Sequence, residues 1–309
     1  STGVTSTINV TAVNDKPVVT AGATLAYTEQ AAAAAIDATI TISDVDDTQI
    51  AGATVTITSP VAGDTLGFTA QNGITVASNV GGVLTLTGTT TLANYQTALR
   101  SVTFNSTSDD PTVDNTRLTR TITWAVTDAN SDAVGAQTST GVTSTINVTA
   151  VNDKPVLATG SVLAYTENQA ASAINAVITT ADVDNATLAS GTVSITANFA
   201  ASEDTLGFVN VPATMGNIAG VYDAGTGVMS LTSAGATATL AQWQAALRAV
   251  TYANSSDAPS VLARTVSYVV NDAAANSNTV TSTINVTAVN DAPVGTNKTV
   301  TTLEDTDYT

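Results

Sequence analysis

The sequence contains no cysteine and no histidine. Zinc sites built on those residues, cysteine nucleophiles, histidine-based triads and imidazole general bases are therefore excluded. A chain without cysteine also folds without disulfides, so a secreted protein of this composition needs another means of stabilisation, and bound calcium is one. We expect no enzyme activity, because no nucleophile elbow, phosphate-binding loop or paired-acid glycosidase signature is found.

Basic and aromatic residues are scarce as well. Eight Lys and Arg face 25 Asp and Glu, the net charge is −17, and aromatics make up 4% of the chain. Without a basic stripe, neither nucleic acid nor an anionic membrane surface is an expected partner. No apolar run approaches the roughly 20 residues of a membrane-spanning helix, so we predict no direct membrane insertion. The excess of carboxylates suits the binding of cations.

Apolar β-branched residues and threonine are abundant, and hydrophobic residues make up 43% of the chain. This composition favours an all-β fold. In the segment 142–150, Val142, Ile146 and Val148 fall on one face and polar residues on the other. Such alternation indicates a half-buried strand. About seven similar segments per module, separated by Gly, Asn, Asp and Ser turns, predict a β-sandwich.

One segment, VTSTINVTAVND, occurs three times, at 4–15, 142–153 and 280–291, with a constant spacing. A fixed period predicts tandem modules. Taking the last Asp of each copy as a boundary gives modules at 16–153 and 154–291. Residues 1–15 are then expected to be the last strand of a preceding module, and residues 292–309 the start of a third. The sequence is therefore expected to be a segment of a longer protein, with any secretion signal outside it.

A short helix is predicted in each module. Leu92, Tyr95, Leu99 and Val102 have helical spacing, as do Leu240, Trp243, Leu247 and Val250 in the second module. Thr91 and Thr239 stand where an N-cap belongs. We expect the aromatic residue of each helix to lie in the core, with a ligand-lining role as the alternative.

Acidic residues recur at matched positions around each copy of the repeated segment. Every module has a Glu after a Tyr-Thr pair, an Asp-x-Asp loop and an Asp after its penultimate strand. Each copy of the repeated segment ends in an Asn-Asp pair, and we call this boundary between modules a seam. With these pairs included, the candidate metal ligands are Asn14, Asp15, Glu29, Asp44, Asp46, Asp128, Asn152, Asp153, Glu167, Asp182, Asp184, Asp272, Asn290 and Asp291. Carboxylate and amide oxygens are the ligands that Ca²⁺ prefers. The alternative is that these are turn and cap residues, where Asp and Asn are common.

This order of acids resembles the calcium-binding pattern of cadherin repeats. The Val-Asn-Asp-x-Pro seam and the segment LANYQTALRSVTF are also similar to cadherin-like repeats of giant bacterial surface adhesins, many of them exported by type I secretion (the RTX-adhesin type, associated with biofilms). The resemblance covers nearly the whole chain. It implies tandem Ig-like or cadherin-like β-sandwich modules arranged end to end, with calcium at each joint.

The resemblance also implies how the ligands are shared. One joint would combine Glu29, Asn152 and Asp153 with Asp182, Asp184 and Asp272. The seam before the first module would use Asn14, Asp15, Asp44, Asp46 and Asp128. The seam after the second module would begin with Glu167, Asn290 and Asp291.

Two departures from the cadherin pattern stand out. The acidic LDRE element of cadherins has no match, and a helix ending in Arg100 or Arg248 takes its place. In addition, Asp47 of the first module corresponds to Asn185 of the second, so we expect fewer or weaker ions per joint. The loops at 106–111 and 255–259 are most simply turns, with a second cation site as the alternative.

These patterns predict a structural protein of the bacterial cell surface, an extracellular stalk segment that calcium stiffens and that projects a distal adhesive domain. The expected partners are calcium ions and the neighbouring modules of the same chain. One alternative is a self-assembling surface layer or filament, in which like chains pack laterally. Another is a module that binds glycan or protein, although no exposed aromatic platform is evident.

Overall fold

The computed structural model describes residues 3–11, 13–131 and 133–305. The chain divides into two compact units, Ser1–Asp153 with Val183–Ala186, and Lys154–Asp182 with Thr187–Thr309. Strands dominate both units, which confirms the predicted all-β class. The module boundaries at 16–153 and 154–291 remain a prediction.

The described residues of the first unit contain one helix and more strands than the predicted seven, because several pairings involve only two to four residues. Its helix is α1 (Leu92–Arg100). The strands are β1 (Val18–Thr20), β2 (Thr24–Thr28), β3 (Ala34–Ala35), β4 (Thr41–Ser43), β5 (Gln49–Thr58), β6 (Asp64–Gly67), β7 (Thr75–Val80), β8 (Val83–Thr91), β9 (Thr103–Ser106), β10 (Thr119–Asp128) and β11 (Val142–Thr149).

A six-stranded sheet forms one layer of this unit, in the order β2-β11-β10-β5-β8-β7, and the short sheets β3-β9-β6 and β1-β4 form the other. The long strands β5 and β10 bury alternate residues, as the period-two pattern predicts. Val55, Ile122 and Trp124 are fully buried between the layers, together with Leu84 and Phe104. The unit is therefore a β-sandwich with one continuous core.

The second unit repeats this plan with additional short elements. Its helices are α2 (Pro212–Met215) and α3 (Leu240–Arg248), with a 3₁₀ turn at Ala234–Ala236. The strands are β12 (Val156–Ala158), β13 (Val162–Thr166), β14 (Ser172–Ala173), β15 (Thr179–Ala181), β16 (Thr187–Leu188), β17 (Ser190–Ala197), β18 (Asp204–Gly207), β19 (Ile218–Asp223), β20 (Val228–Ser233), β21 (Ala238–Thr239), β22 (Thr251–Asn254), β23 (Arg264–Asn271) and β24 (Val280–Thr287).

Its six-stranded sheet has the order β13-β24-β23-β17-β20-β19, which matches the first unit strand for strand. The smaller sheets are β14-β22-β18, β12-β15 and β16-β21. Trp243, Tyr252, Tyr268 and Val193 are fully buried in its core. The helix α2, which the sequence analysis did not predict, begins at Pro212, a residue whose fixed φ suits the first turn of a helix.

The predicted helix of each module is confirmed. The Thr91 hydroxyl accepts a hydrogen bond from the backbone N of Asn94 at 3.3 Å, and Thr239 caps α3 in the same way. Gln242 completes a capping box by accepting from the backbone N of Thr239. Tyr95 and Trp243 are fully buried, so the aromatic of each helix belongs to the core, as expected. Among the described residues, no helix has the length and hydropathy needed to cross a bilayer.

The repeated segment forms a strand only where partner strands are present. At 142–149 and 280–287 it forms β11 and β24, each antiparallel to one neighbour and parallel to another. The described residues of 4–15 form no strand, because no neighbouring strand of this sequence pairs with them. No strand is found among the described residues of 1–15, and the assignment of this segment to a preceding module stays a prediction. Residues 292–303 also form no strand, Glu304 and Asp305 form a turn, and the rest of the predicted third module lies outside the described residues.

Candidate metal centre

A parallel strand pair brings distant acids to one end of the first unit. In β2 and β11, Thr28 is the register partner of Thr149, so both strands end at the same edge. The backbone N of Glu29 donates to Thr149 O at 2.9 Å, and the backbone N of Val151 donates to Glu29 Oε2 at 2.7 Å. The predicted ligand Glu29 therefore lies beside the start of the 151–153 link.

Three carboxylates form a compact group near the preceding seam. Oxygens of Asp44, Asp47 and Asp128 lie within 4.8 Å of one another. Asp44 and Asp47 follow β4, and Asp128 is the last residue of β10. The group is shielded from solvent, since Asp47 is 3% exposed and Asp128 is fully buried. Three like charges held this close are unfavourable unless a cation or protons compensate them.

Local hydrogen bonds fix Asp44 and Asp47 through one oxygen each, whereas Asp128 accepts hydrogen bonds through both of its oxygens. Asp44 Oδ1 accepts from the backbone N of Asp46 and of Asp47, at 3.2 and 3.1 Å. Asp47 Oδ1 accepts from the backbone N of Ser131 at 2.8 Å and from the Ser131 hydroxyl. Asp128 Oδ1 accepts from the backbone N of Asn130 at 3.1 Å. The second oxygens of Asp44 and Asp47 are therefore oriented by the loops around them.

Several of these second oxygens have no hydrogen-bond partner although they are buried. This holds for Asp44 Oδ2, Asp47 Oδ2 and the side-chain oxygen of Asn14. The amide nitrogen of Asn14 donates to Asp128 Oδ2 at 3.1 Å and to Gly135 O at 2.6 Å, which fixes its oxygen beside the group. Buried polar atoms without a partner are rare in folded proteins and call for an explanation.

The Asp-x-Asp loop also contacts the seam directly. The backbone N of Asp15 donates to Asp46 Oδ2 at 3.0 Å. This bond and those within the loop lower the pKa of Asp46, which is solvent-exposed. The pKa of Asp44 is raised, chiefly by burial and further by the neighbouring Asp46. Burial of an uncompensated carboxylate is therefore already costly in the absence of a cation.

The geometry of the group suits a hard divalent cation. Ca²⁺ binds oxygen at about 2.3–2.6 Å, so oxygens on opposite sides of one ion lie about 5 Å apart. The oxygens of the group lie within 4.8 Å of one another, close enough to surround one such ion. Asn14 adds an amide oxygen, and no arginine or lysine of the described residues pairs with Asp44, Asp47 or Asp128. Asn14, Asp44, Asp47 and Asp128 therefore fit a calcium ion.

Asp47 was not among the ligands predicted by the sequence analysis, which took Asp44 and Asp46 from the Asp-x-Asp pattern. The third acid of the run Asp-Val-Asp-Asp was the available signal. The loop turns so that Asp47, not Asp46, enters the compact group. Asp46 stays a predicted ligand, placed by its bond to the seam.

Part of the first arrangement recurs at the next seam. The backbone N of Asp153 donates to Asp184 Oδ2 at 3.1 Å, which repeats the contact between Asp15 and Asp46. Asn185, at the position of Asp47, donates through its amide to Asn152 Oδ1 at 3.1 Å. Because Asn185 is neutral where the first module has the carboxylate of Asp47, this seam offers an ion one negative charge fewer than the first seam does.

The remaining predicted ligands stand apart from these. Asp182 and Asp272 belong to the second unit, whereas Glu29, Asn152, Asp153 and Asp184 belong to the first, so their convergence on one ion stays a prediction. Asp272 Oδ1 accepts from the backbone N of Ala274 and of Ala275, both at 2.6 Å.

At the last seam, Glu167 contacts the segment that follows the sheet in the same way as Glu29 does. Glu167 Oε2 accepts from the backbone N of Val289 at 3.0 Å, just as Glu29 does from Val151. Asn290 and Asp291 are exposed. Their role as ligands remains a prediction.

No aromatic platform for sugar binding is evident in the described part of the chain. Trp124 and Trp243 are both fully buried. A small recess of about 230 Å³ near the first seam is lined by Lys16, Pro17, Val18, Val19, Thr140 and Val142, none of them aromatic. Small-molecule sites are usually about 300–1,000 Å³. The acidic group is therefore the stronger candidate site.

Comparison with known proteins gives structural similarity only. No protein-family model matches the chain, and no curated protein matches it. Among solved structures, mouse cadherin-23 repeats EC22–24 are 14% identical, with 90% of this chain and 68% of that chain covered and a TM-score of 0.39. Human mucin-like protocadherin EC1–2 is 12% identical, with 88% and 98% covered and a TM-score of 0.38. Human protocadherin-24 EC1–2 is 14% identical, with 91% and 100% covered and a TM-score of 0.31. Values this low establish neither a family nor a function for the chain.

Proposed function

We propose that this chain is a segment of an extracellular stalk whose joints are stiffened by calcium. The observation that carries the proposal is the group of Asp44, Asp47 and Asp128, with buried, unpartnered oxygens beside it on Asn14, Asp44 and Asp47. Asn14 belongs to the seam, while the three acids belong to the loops of the module that follows it. An ion bound there joins the seam to the module.

The chemistry of this joint follows from charge. Without a cation, the carboxylates repel one another, and the seam is held by the hydrogen bonds of Asn14 and Asp15. When bound, calcium supplies positive charge that compensates the carboxylates and links ligands from distant parts of the chain. The free energy of binding then favours one orientation of the seam over the others.

Our proposal also includes the setting. A stalk of this kind acts outside the cell, where calcium is abundant and where a chain without disulfides gains stability from metal binding. By the resemblance of its motifs, the parent protein is a bacterial surface adhesin, and this segment is a spacer rather than the adhesive domain or an enzyme.

The test is small-angle X-ray scattering of residues 1–309 in millimolar calcium and in excess chelator. We expect a longer maximum dimension and a more rod-like profile with calcium. Thermal unfolding should show matching stabilisation, about 2.7 kcal/mol when free calcium is 100 times the dissociation constant. Identical profiles and melting curves in both buffers would overturn the proposal.

Matched variants make this test specific. Asp47→Asn gives the first module the residue of the second and should weaken calcium-induced stabilisation, because one anionic ligand is lost. Asn185→Asp makes the reverse change and should strengthen it. Equal calcium responses of both variants and of the unchanged chain would show that this position does not contact the ion.

A second candidate function is lateral assembly of like chains, which the edge strand β7 favours. All six of its residues are exposed, and it is the last strand of its sheet. From Thr65 to Leu99 the chain has no charged residue, although its net charge is −17. Edge strands of soluble proteins usually carry charges or proline that block pairing, and β7 has neither. Because β7 and the residues around it are uncharged, the same edge of a second copy of this chain can pair with it without charge repulsion.

Sedimentation velocity over a hundredfold range of concentration tests this second candidate. We expect concentration-dependent association that Val76→Lys, on the edge strand, abolishes. The control Val156→Lys, at an exposed position of β12 outside the edge, should leave it intact. A monomer at every concentration would remove lateral assembly and leave the stalk proposal untouched.

A further inference from the structure

One exposed asparagine, Asn72, has no hydrogen-bond partner for its side chain among the described residues. It precedes Gly73, and the two residues form the tip of a tight turn. The backbone N of Gln71 donates to Ile74 O at 3.1 Å, and the backbone N of Ile74 donates to Gln71 O at 2.7 Å. Asn72 and Gly73 have φ values of 53° and 79°, as a type I′ turn requires. The side-chain amide of Asn72 is therefore open to solvent and unrestrained by neighbours.

Gly73 leaves the backbone nitrogen next to this amide unprotected. The backbone N of Gly73 donates no hydrogen bond to a described residue. A Cβ placed on Gly73 would meet no atom within 4 Å, so the space around it is open. Because the side-chain carbonyl carbon of Asn72 and the nitrogen of Gly73 belong to consecutive residues, their reaction is intramolecular, and such reactions are strongly favoured over bimolecular ones.

We propose that Asn72 is a site of spontaneous deamidation, with water as the only other reactant. The backbone N of Gly73 attacks the side-chain carbonyl carbon of Asn72 and forms a C–N bond that closes a succinimide ring. The side-chain amide nitrogen leaves as ammonia and takes up the proton that the Gly73 nitrogen loses. Water then adds to one of the two ring carbonyl carbons and opens the ring. The product is an aspartate or an isoaspartate, so a carboxylate replaces a neutral amide.

The turn controls how fast this reaction runs. Its two backbone hydrogen bonds hold the present conformation, and Gly73 O lies so close to Gly88 that a Cβ at Gly88 would clash with it. Attack on the side chain requires the turn to open locally. We therefore expect the folded chain to react more slowly than the unfolded chain, but still measurably, because both reacting groups are exposed.

Two other asparagines of the same uncharged stretch, 65–99, serve as internal comparisons. Asn79 Nδ2 donates to Leu66 O at 2.7 Å, and Asn94 Nδ2 donates to Thr90 Oγ1 at 2.7 Å. A β-branched residue follows Asn79 and an aromatic residue follows Asn94, so the next backbone nitrogen is shielded in both. These two asparagines are expected to stay intact while Asn72 reacts.

Deamidation of Asn72 gives the stretch 65–99 its first negative charge. The edge strand β7 begins at Thr75, close behind Asn72 in sequence. Charged residues at a sheet edge oppose pairing with a second copy. The reaction therefore acts as a slow device that blocks the β7 edge as the protein ages, a consequence that rests on the second candidate function.

Fragment-ion mass spectrometry of the full chain, incubated folded in mildly alkaline buffer with calcium, tests the site. Alkaline conditions favour loss of the Gly73 proton. We expect the mass gain of deamidation at Asn72 to accumulate about tenfold faster than at Asn79 or Asn94. Asn72→Gln should remove the gain at this position, and a sample unfolded in urea should react faster at Asn72. Equal rates at the three asparagines, or a gain at Asn72 in urea only, would overturn the inference.

Sedimentation velocity tests the consequence separately. Asn72→Asp reproduces the charge of the product, and Asn115→Asp places the same charge on an exposed residue of another loop. We expect weaker association of Asn72→Asp and unchanged association of Asn115→Asp. Equal association of both variants would show that the charge does not block the edge. If the unchanged chain stays a monomer, the second candidate function fails, whereas the mass measurement still decides whether Asn72 deamidates.

Discussion

At the scale of single residues, equivalent positions of the two modules use different chemistry for the same structural task. Asp37 is buried and accepts hydrogen bonds from the Ser144 hydroxyl at 2.6 Å and from the backbone N of Gly22 and of Ala23 at 3.0 Å. Ser144 in turn accepts from Trp124 Nε1 at 2.9 Å. The second module has Asn175 in this place, which donates to Ser282 Oγ at 3.1 Å.

The network around Asp37 predicts acid sensitivity of the first module. Burial alone would raise the pKa of Asp37, but the hydrogen bonds from Ser144, Thr39, Gly22 and Ala23 outweigh it and hold the pKa well below its ordinary value of 3.8. The group therefore adds stability above the unfolded-state pKa, and this stability is lost as the pH falls towards the lower folded-state pKa. Asn175 does not titrate, so the second module lacks this pH-dependent contribution to stability.

We expect Asp37→Asn to lower the free energy of unfolding by about 1–3 kcal/mol at pH 7, because an amide cannot accept all of these bonds. The same variant should lose less stability than the unchanged chain on going from pH 5 to pH 3. Urea unfolding followed by Trp124 fluorescence in a Trp243→Phe background, with chelator present, measures both effects. An unaltered pH dependence in Asp37→Asn would contradict the prediction.

At the scale of elements, one buried ion pair joins the two sheets of each sandwich. Arg120 of β10 binds Asp64 of β6 at 2.6 Å, and Arg264 of β23 binds Asp204 of β18 at 3.2 Å. All four side chains are fully shielded from solvent. Each pair therefore connects the six-stranded sheet to the three-stranded one.

Backbone carbonyls satisfy the remaining donors of each arginine. Arg120 donates to Arg117 O at 2.8 Å and to Pro111 O at 2.5 Å, which also anchors the loop that leads from Asp109. Arg264 donates to Leu262 O at 2.8 Å. A buried pair with these bonds adds little over apolar packing, yet removing one partner leaves an uncompensated charge.

We therefore expect Asp64→Asn to destabilise the first module by about 3–5 kcal/mol. The double change Asp64→Leu with Arg120→Met should cost less than this single change, because no charge is left buried. Chemical unfolding in chelator measures both. Equal losses in the two variants would mean that loop anchoring, rather than charge pairing, is the main contribution.

At the scale of the whole molecule, the basic residues are too few and too occupied to compensate the acids. Beyond the two ion pairs, Arg100 and Arg248 donate to Ile40 O at 2.8 Å and Ile178 O at 2.9 Å, and Arg117 donates to Ser59 O at 2.7 Å. All five arginines therefore serve the fold. Cations from solution must therefore compensate most of the net charge of −17, which agrees with calcium as the proposed bound ion.

The sequence by itself determined the elements whose signals are local. Period-two alternation identified long strands such as β10 and β11, the spacing of Leu92, Tyr95 and Leu99 identified α1, and Thr91 marked its start. The repeated segment predicted two equivalent modules, and their sheets have the same strand order. The strand and helix signals lie within a dozen residues and the repeat is visible in the sequence itself, so no knowledge of the tertiary fold was needed.

Only the tertiary structure decided which acids meet. The parallel pairing of β2 with β11 places Glu29 beside Val151. The turn after β4 selects Asp47 over Asp46 for the compact group. These contacts join residues far apart in sequence, and their geometry depends on strand register and loop conformation, which residue spacing alone does not encode.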